Sequence, residues 1–127
     1  MLSIPRSVRI YIATAPTDMR RSIDGLMAIV TQELREDAMS GHLFVFLSRR
    51  ADRVKILTWD NGGFVLYYKR LERGRFRPLR VDPNAKAVEI GATELLMLLD
   101  GIDVGRVRSP KHWKRPEPCP MDIPAAT

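Results

Sequence analysis

The most constraining stretch of this sequence is residues 43–68, where three strand-like runs follow one another with little chain between them. Leu43-Phe44-Val45-Phe46-Leu47 is apolar at every position. A strand turns successive side chains to opposite faces, so a run that is apolar throughout is expected to be central and covered on both sides. Val54–Trp59 and Phe64–Tyr68 follow, joined by Asp60-Asn61-Gly62-Gly63. That tetrapeptide predicts a tight hairpin, because Asn and Gly accept the positive φ that such turns need. The stretch therefore requires a sheet and excludes an all-helical chain.

The flanks add the remaining elements. Val8–Ala13 has the β-branched and aromatic content of a strand, and Thr14-Ala15-Pro16-Thr17-Asp18 breaks it. From Ser22 onward, Ile23, Leu26, Met27, Val30 and Leu34 share one helical face, with Ser22 as N-cap and Ser40-Gly41 closing the segment. Gly25 early in that helix reads as a tolerated glycine, with a close backbone approach as the alternative. Leu71-Glu72-Arg73-Gly74 predicts a turn, and Pro78 limits Arg75–Arg80 to an edge or terminal strand. Val81–Ile90 reads as a polar connection. A second helix is expected over about Thr93–Leu99, with Leu95, Leu98, Leu99 and Ile102 as its stripe and Gly101 at its end. Consecutive strands with helices at the two ends predict an α+β fold, an antiparallel sheet of four to five strands with helices packed on one face. Residues 1–104 are expected to form a single domain. Five of the nine prolines fall between Pro110 and Pro124, so 105–127 is expected to be an extended Pro-rich tail.

Composition enters through charge. The chain of 127 residues carries 21 Lys and Arg against 15 Asp and Glu, a net charge of +6. Residues 43–80 hold ten of the basic residues and three of the acidic ones, so this block alone is net +7 and the rest of the chain is net −1. Arg49, Arg50 and Arg53 cluster at one loop, with Lys55 just inside the following strand. Lys69, Arg70, Arg73 and Arg75 cluster around a later turn, after Tyr67-Tyr68. In a meander of hairpins these two turns lie at the same end of the sheet, so the clusters are expected to merge. Guanidinium groups match phosphate oxygens bidentately and aromatic rings stack on bases. The predicted nucleic-acid contact is therefore Arg49, Arg50, Arg53, Lys55, Lys69, Arg70, Arg73, Arg75 and Tyr68, extended by Arg20 and Arg21 beside the first helix.

Other chemistries find less support. A single cysteine, Cys119, and two histidines, His42 and His112, make a Cys/His metal site improbable and fit a reducing, cytoplasmic compartment. Tyr67 or Tyr68 as a strand-transfer nucleophile lacks the paired histidines or larger domain that such chemistry requires. Neighbouring strand residues face oppositely, so one tyrosine is expected in the core and one at the rim. Asp18, Asp24, Asp52 and Asp60 read as turn and cap residues rather than a two-metal set. No apolar run reaches a membrane span, and Met1-Leu2-Ser3-Ile4-Pro5-Arg6 has no signal-peptide core. No catalytic residue, metal or cofactor is expected.

The order of these short motifs resembles a known family. Thr17-Asp18-Met19-Arg20 followed by Asp24-Gly25-Leu26, then Ser40-Gly41-His42-Leu43-Phe44-Val45-Phe46, then Arg49-Arg50, Asp52-Arg53 and Lys55 carry the likeness. Trp59-Asp60 and Tyr67-Tyr68-Lys69-Arg70-Leu71-Glu72, with Gly74 and Phe76, continue it. The pattern is similar to the accessory proteins encoded by the second open reading frame of IS66-type bacterial insertion sequences, over about residues 6–104. Ser48 and Ala51 stand where glycines are usual, Arg77 where tryptophan is common, and Ser22-Ile23 where a Gly-aromatic pair is usual. The resemblance implies an accessory role in DNA transposition, with strand chemistry done by a separate transposase. DNA, that transposase and a second copy of the chain are the expected partners. The alternative is a protein-interaction module that assembles the transposase without touching DNA.

Overall fold

The computed structural model describes residues 7–77, 82 and 84–101. Five strands form one sheet: β1 (Ile10–Ala13), β2 (Leu43–Leu47), β3 (Arg53–Asp60), β4 (Gly63–Arg70) and β5 (Ala87–Ile90), in the order β4-β3-β2-β1-β5. Helix α1 (Ile23–Ala28) continues into a π-helical turn, Ile29–Glu33, and α2 (Ala92–Leu99) ends the described chain. The α+β class stands as expected, and β2–β3, β3–β4 and β1–β5 are antiparallel.

Two features of the arrangement differ from the sequence reading. The β1–β2 pair is parallel, with Ile10 opposite Leu43 and Ile12 opposite Val45. Helix α1 lies in the connection between these strands and returns the chain to the end where it started, as a parallel neighbour requires. The helices also do not share a face. Ile10, Ile12, Val45, Leu47, Val54 and Ile56 pack with Leu95, Leu98 and Leu99 of α2. Phe44, Phe46 and Leu57 pack with Leu26 and Val30 from α1 and its continuation. Helices on one face would have left either the valine or the phenylalanine side of β2 in water, at roughly 1.5–3 kcal/mol per large side chain. The both-sided apolar run thus decides for two covering layers.

Local chemistry explains most element ends. Asp60 pairs with Gly63 across a two-residue turn whose Asn61 and Gly62 have φ of 51° and 91°, the predicted hairpin. Ser22 occupies the N-cap position with extended backbone, but its hydroxyl makes no capping bond. The first helix stops earlier than Ser40-Gly41. Leu34 N–H donates to Ile29 O and Glu36 N–H to Val30 O, around Arg35 at φ 57°. These wide bonds and the left-handed residue close the helix in the manner of a glycine cap. Gly101, at φ 78°, ends α2 as expected.

The fifth strand lies at 87–90, inside the stretch read as a polar connection, and no strand forms at 75–77. Ile102, the 78–80 part of the proposed edge strand, and the 105–127 tail lie outside the described residues. Among the described residues, no helix is long and apolar enough to cross a membrane.

Candidate nucleic-acid interface

Three connections meet at one end of the sheet: 14–22 after β1, 48–52 between β2 and β3, and 71–77 after β4. The parallel β1–β2 pair puts the first two together, and the antiparallel β3–β4 pair adds the third. Backbone hydrogen bonds then tie them to one another. Thr17 N–H donates to Leu47 O at 2.8 Å, Leu71 N–H to Asp52 O at 2.8 Å, and Phe76 N–H to Ala51 O at 2.6 Å. Phe76 itself is 1% exposed and sits in the α2-side core. It anchors the 71–77 segment, and Arg73 and Arg75 just before it are exposed.

The 48–52 loop has its own lock. The Ser48 hydroxyl accepts from Arg53 N–H at 3.1 Å and donates to Asp52 Oδ1 at 3.2 Å. Ala51 adopts φ 59°, a left-handed conformation that glycine takes without steric cost. Where the resemblance has glycines at both positions, Ser48 adds two side-chain bonds and Ala51 carries backbone strain. Arg49 and Arg50 project from this loop and are exposed.

The 14–22 loop is held from below by Lys55. Its side chain lies on the α1 face and is 7% exposed, and Nζ donates to Met19 O at 2.8 Å and to Arg21 O at 2.7 Å. The Tyr68 ring, opposite Lys55 in register, lies 4.9 Å from the ammonium, a cation–π contact. Lys69 is engaged in a similar way, donating from Nζ to Leu99 O at the end of α2. Lys55 and Lys69 thus face backbone acceptors of their own chain. Tyr67 and Tyr68 are 40% and 50% exposed. Neither is in the core, because β4 is the edge strand of the sheet and, among the described residues, pairs only with β3.

Charge at this end is unevenly paired. Asp18 accepts from Arg20 N–H at 2.9 Å, from Arg20 Nε at 3.1 Å and from Arg20 Nη2 at 2.8 Å. These bonds, the side-chain ones first, hold the Asp18 carboxyl down to about 2 and raise the Arg20 guanidinium above its ordinary value. Arg70 pairs with Glu72 at 3.0 Å. Among the described residues, no ion pair engages Arg21, Arg49, Arg50, Arg53, Arg73 or Arg75. Asp18 therefore belongs to Arg20 and not to the helix start, and Asp52 accepts from the Ser48 hydroxyl.

Two clefts run through this surface. One, of about 440 Å³, lies between the 17–20 and 48–53 segments and includes Arg20, Arg49, Arg50 and Arg53. The other, of about 520 Å³, lies beyond the ends of β1 and β2 and includes Arg20, Arg21, Arg49, Glu33 and Lys86. Lys86 was not among the expected residues. It enters because Thr14 N–H donates to Lys86 O at 3.0 Å, which docks the start of β5 beside the 14–22 loop. The alternation in Ala87-Val88-Glu89-Ile90 was the available signal, and it is only four residues long. Gly25 also matters more than expected. A Cβ there would lie 3.1 Å from Arg21 Cβ, so glycine lets the Arg21 stem cross the helix. Among the described residues, no group of three or more His, Cys, Asp or Glu side chains is arranged to hold a metal ion.

The fold is α+β, a five-stranded mixed sheet with two helices, and the loops described above meet at one end of it. The chain belongs to the IS66 Orf2-like protein family, whose model matches residues 8–109. It is 38% identical over 118 residues to the uncharacterized protein y4jC of Sinorhizobium fredii, covering 91% of this chain and 97% of that one. It is 37% identical over 119 residues to a second uncharacterized protein of the same organism, y4hO, covering 92% of each. No solved structure matches the chain. Membership gives the protein a transposition-associated accessory role in IS66 elements.

Proposed function

We propose that the protein serves transposition by holding DNA through its arginine rim, contacting phosphates without reading sequence. The observation that carries this is the stitching of three loops into one end that presents Arg50, Arg53, Arg73 and Arg75 with no ion pair among the described residues. A hydrogen-bonded frame fixes the backbone that carries these arginines, so only side-chain freedom is lost on meeting a phosphate, and their planar forks bind its oxygens in pairs. Contacts of this kind position a complex and carry no sequence information.

Replacing Arg50, Arg53 and Arg73 together by alanine tests the reading by fluorescence anisotropy. The expected result is weaker duplex binding, equal across unrelated sequences, with a log-affinity against log-salt slope shallower by about 2–3. Unchanged affinity and slope overturn it. A second reading, a module that assembles the transposase without DNA, is favoured by the edge of β4, unpaired among the described residues, where Val65 and Tyr67 are each 40% exposed. Capture of transposase that survives nuclease treatment, with no DNA binding by the purified protein, supports that reading instead.

A further inference from the structure

The cleft of about 520 Å³ beyond the carboxyl ends of β1 and β2 has a mixed chemistry that backbone contact with a duplex does not use. Its lining includes the apolar residues Ala13, Ile29 and Leu34 and the charged residues Arg21, Lys86 and Glu33. Its size falls in the range of about 300–1,000 Å³ typical of small-molecule sites. A patch meant only for anions has no place for a carboxylate. Asp18 in this cleft is matched by Arg20, but no ion pair among the described residues engages Glu33. A ligand that suits all three parts has an anionic group, a flat apolar face and N–H donors on its edge. That is a nucleotide: phosphate for the cations, a base face for the apolar wall, and an exocyclic amino group for the Glu33 carboxylate.

We propose that this cleft seats one unpaired nucleotide of the DNA whose backbone follows the rim. The proposal rests on the DNA-binding reading above and specifies the form of DNA, a duplex with a single-stranded extension whose base carries an amino group. A paired base cannot enter, because its Watson–Crick edge is occupied and its faces are stacked. The cleft adjoins the rim through Arg20 and Arg49, which line both clefts. Arg49, which no ion pair among the described residues engages, therefore offers a phosphate contact to a strand passing from the rim into the cleft.

The test compares a labelled blunt duplex with the same duplex carrying a short oligo-dC tail, by anisotropy. The wild-type chain is expected to bind the tailed probe at least about fivefold more tightly, what burying roughly 40 Å² of apolar base face against aliphatic side chains contributes. The paired substitution Glu33→Ala with Lys86→Ala removes one charge of each sign at exposed positions, so the net charge and the long-range attraction stay as they were. It is expected to abolish the preference for the tail, read as the ratio of the two affinities within the variant, so that any loss shared by both probes cancels. The Arg50, Arg53 and Arg73 alanine variant is expected to weaken binding to both probes. Equal wild-type affinity for the two probes overturns the nucleotide site and leaves the rim reading intact. A preference that persists in the Glu33, Lys86 variant also overturns it. Failure of the wild type to bind either probe overturns both.

Discussion

The two ends of the sheet are built by opposite means. At the β3–β4 tip, Asn61 and Gly62 supply the positive φ, Asp60 pairs with Gly63, and Trp59 meets Phe64 edge-on at 4.9 Å. Everything that shapes this turn lies within a few residues of it. At the other end, loops that are far apart in sequence hold one another: Thr17 with Leu47, Phe76 with Ala51, Lys55 with Met19 and Arg21. The difference teaches where the arginine rim comes from. No single loop sequence makes it. The topology brings the loops together, and a few buried groups fix them there, so the rim is expected to fail when those groups are changed.

The largest effect is expected from Phe76→Ala. Truncating a fully buried phenylalanine costs about 3–5 kcal/mol, and here it also releases the segment that carries Arg73 and Arg75. Chemical denaturation is expected to show that loss, and DNA affinity is expected to fall in the fraction that stays folded. At the opposite tip, Asn61→Ala is expected to cost about 1–2 kcal/mol, the steric penalty of a left-handed alanine, and to leave DNA affinity unchanged. Equal losses of affinity from the two variants would break the comparison.

Lys55→Met comes next. Methionine keeps much of the stem and packs on the α1 face, but Met19 O and Arg21 O lose their donor. Leaving a buried acceptor unmatched costs about 1–3 kcal/mol, and these two are part-buried, so the lower end is expected. The expected denaturation midpoint is lower, and amide exchange is expected to quicken across 17–21 while the β3–β4 tip stays protected. Unchanged exchange at 17–21 would show that the loop is held without the ammonium.

Lys55 also marks the limit of what the sequence makes legible. Periodicity and turn chemistry give β1 to β4, both helix positions and the hairpin, since each is decided by neighbouring residues. The meander argument correctly places the arginine loops at one end, because strand direction alternates in any run of hairpins. What is not legible is decided by partners far along the chain. Lys55 counts as one more cation among arginines until Met19 and Arg21 are seen beside it, and Lys69 likewise until α2 is placed. The parallel β1–β2 pair depends on where α1 packs, and Lys86 joins the surface only because β5 pairs with β1. The apolar residues on both faces of β2 already called for two helical layers. That local signal was the better guide than the general expectation of helices on one face.

The smallest effect tests the frame at a single residue. Ala51 holds φ 59° because its carbonyl accepts from Phe76 N–H and its own N–H donates to Ser48 O at 2.9 Å. A left-handed alanine costs about 1–2 kcal/mol, and the added freedom of glycine in the unfolded chain returns roughly 0.4–1 kcal/mol of that. Ala51→Gly is therefore expected to raise stability by about 0.5–1 kcal/mol, seen as a higher denaturation midpoint at constant slope. Asn61→Gly at the other tip, also at positive φ, is expected to gain less, because asparagine already tolerates that conformation. A loss of stability in Ala51→Gly would mean that the 48–52 loop does not keep its left-handed turn, and that Phe76 holds the rim by burial alone.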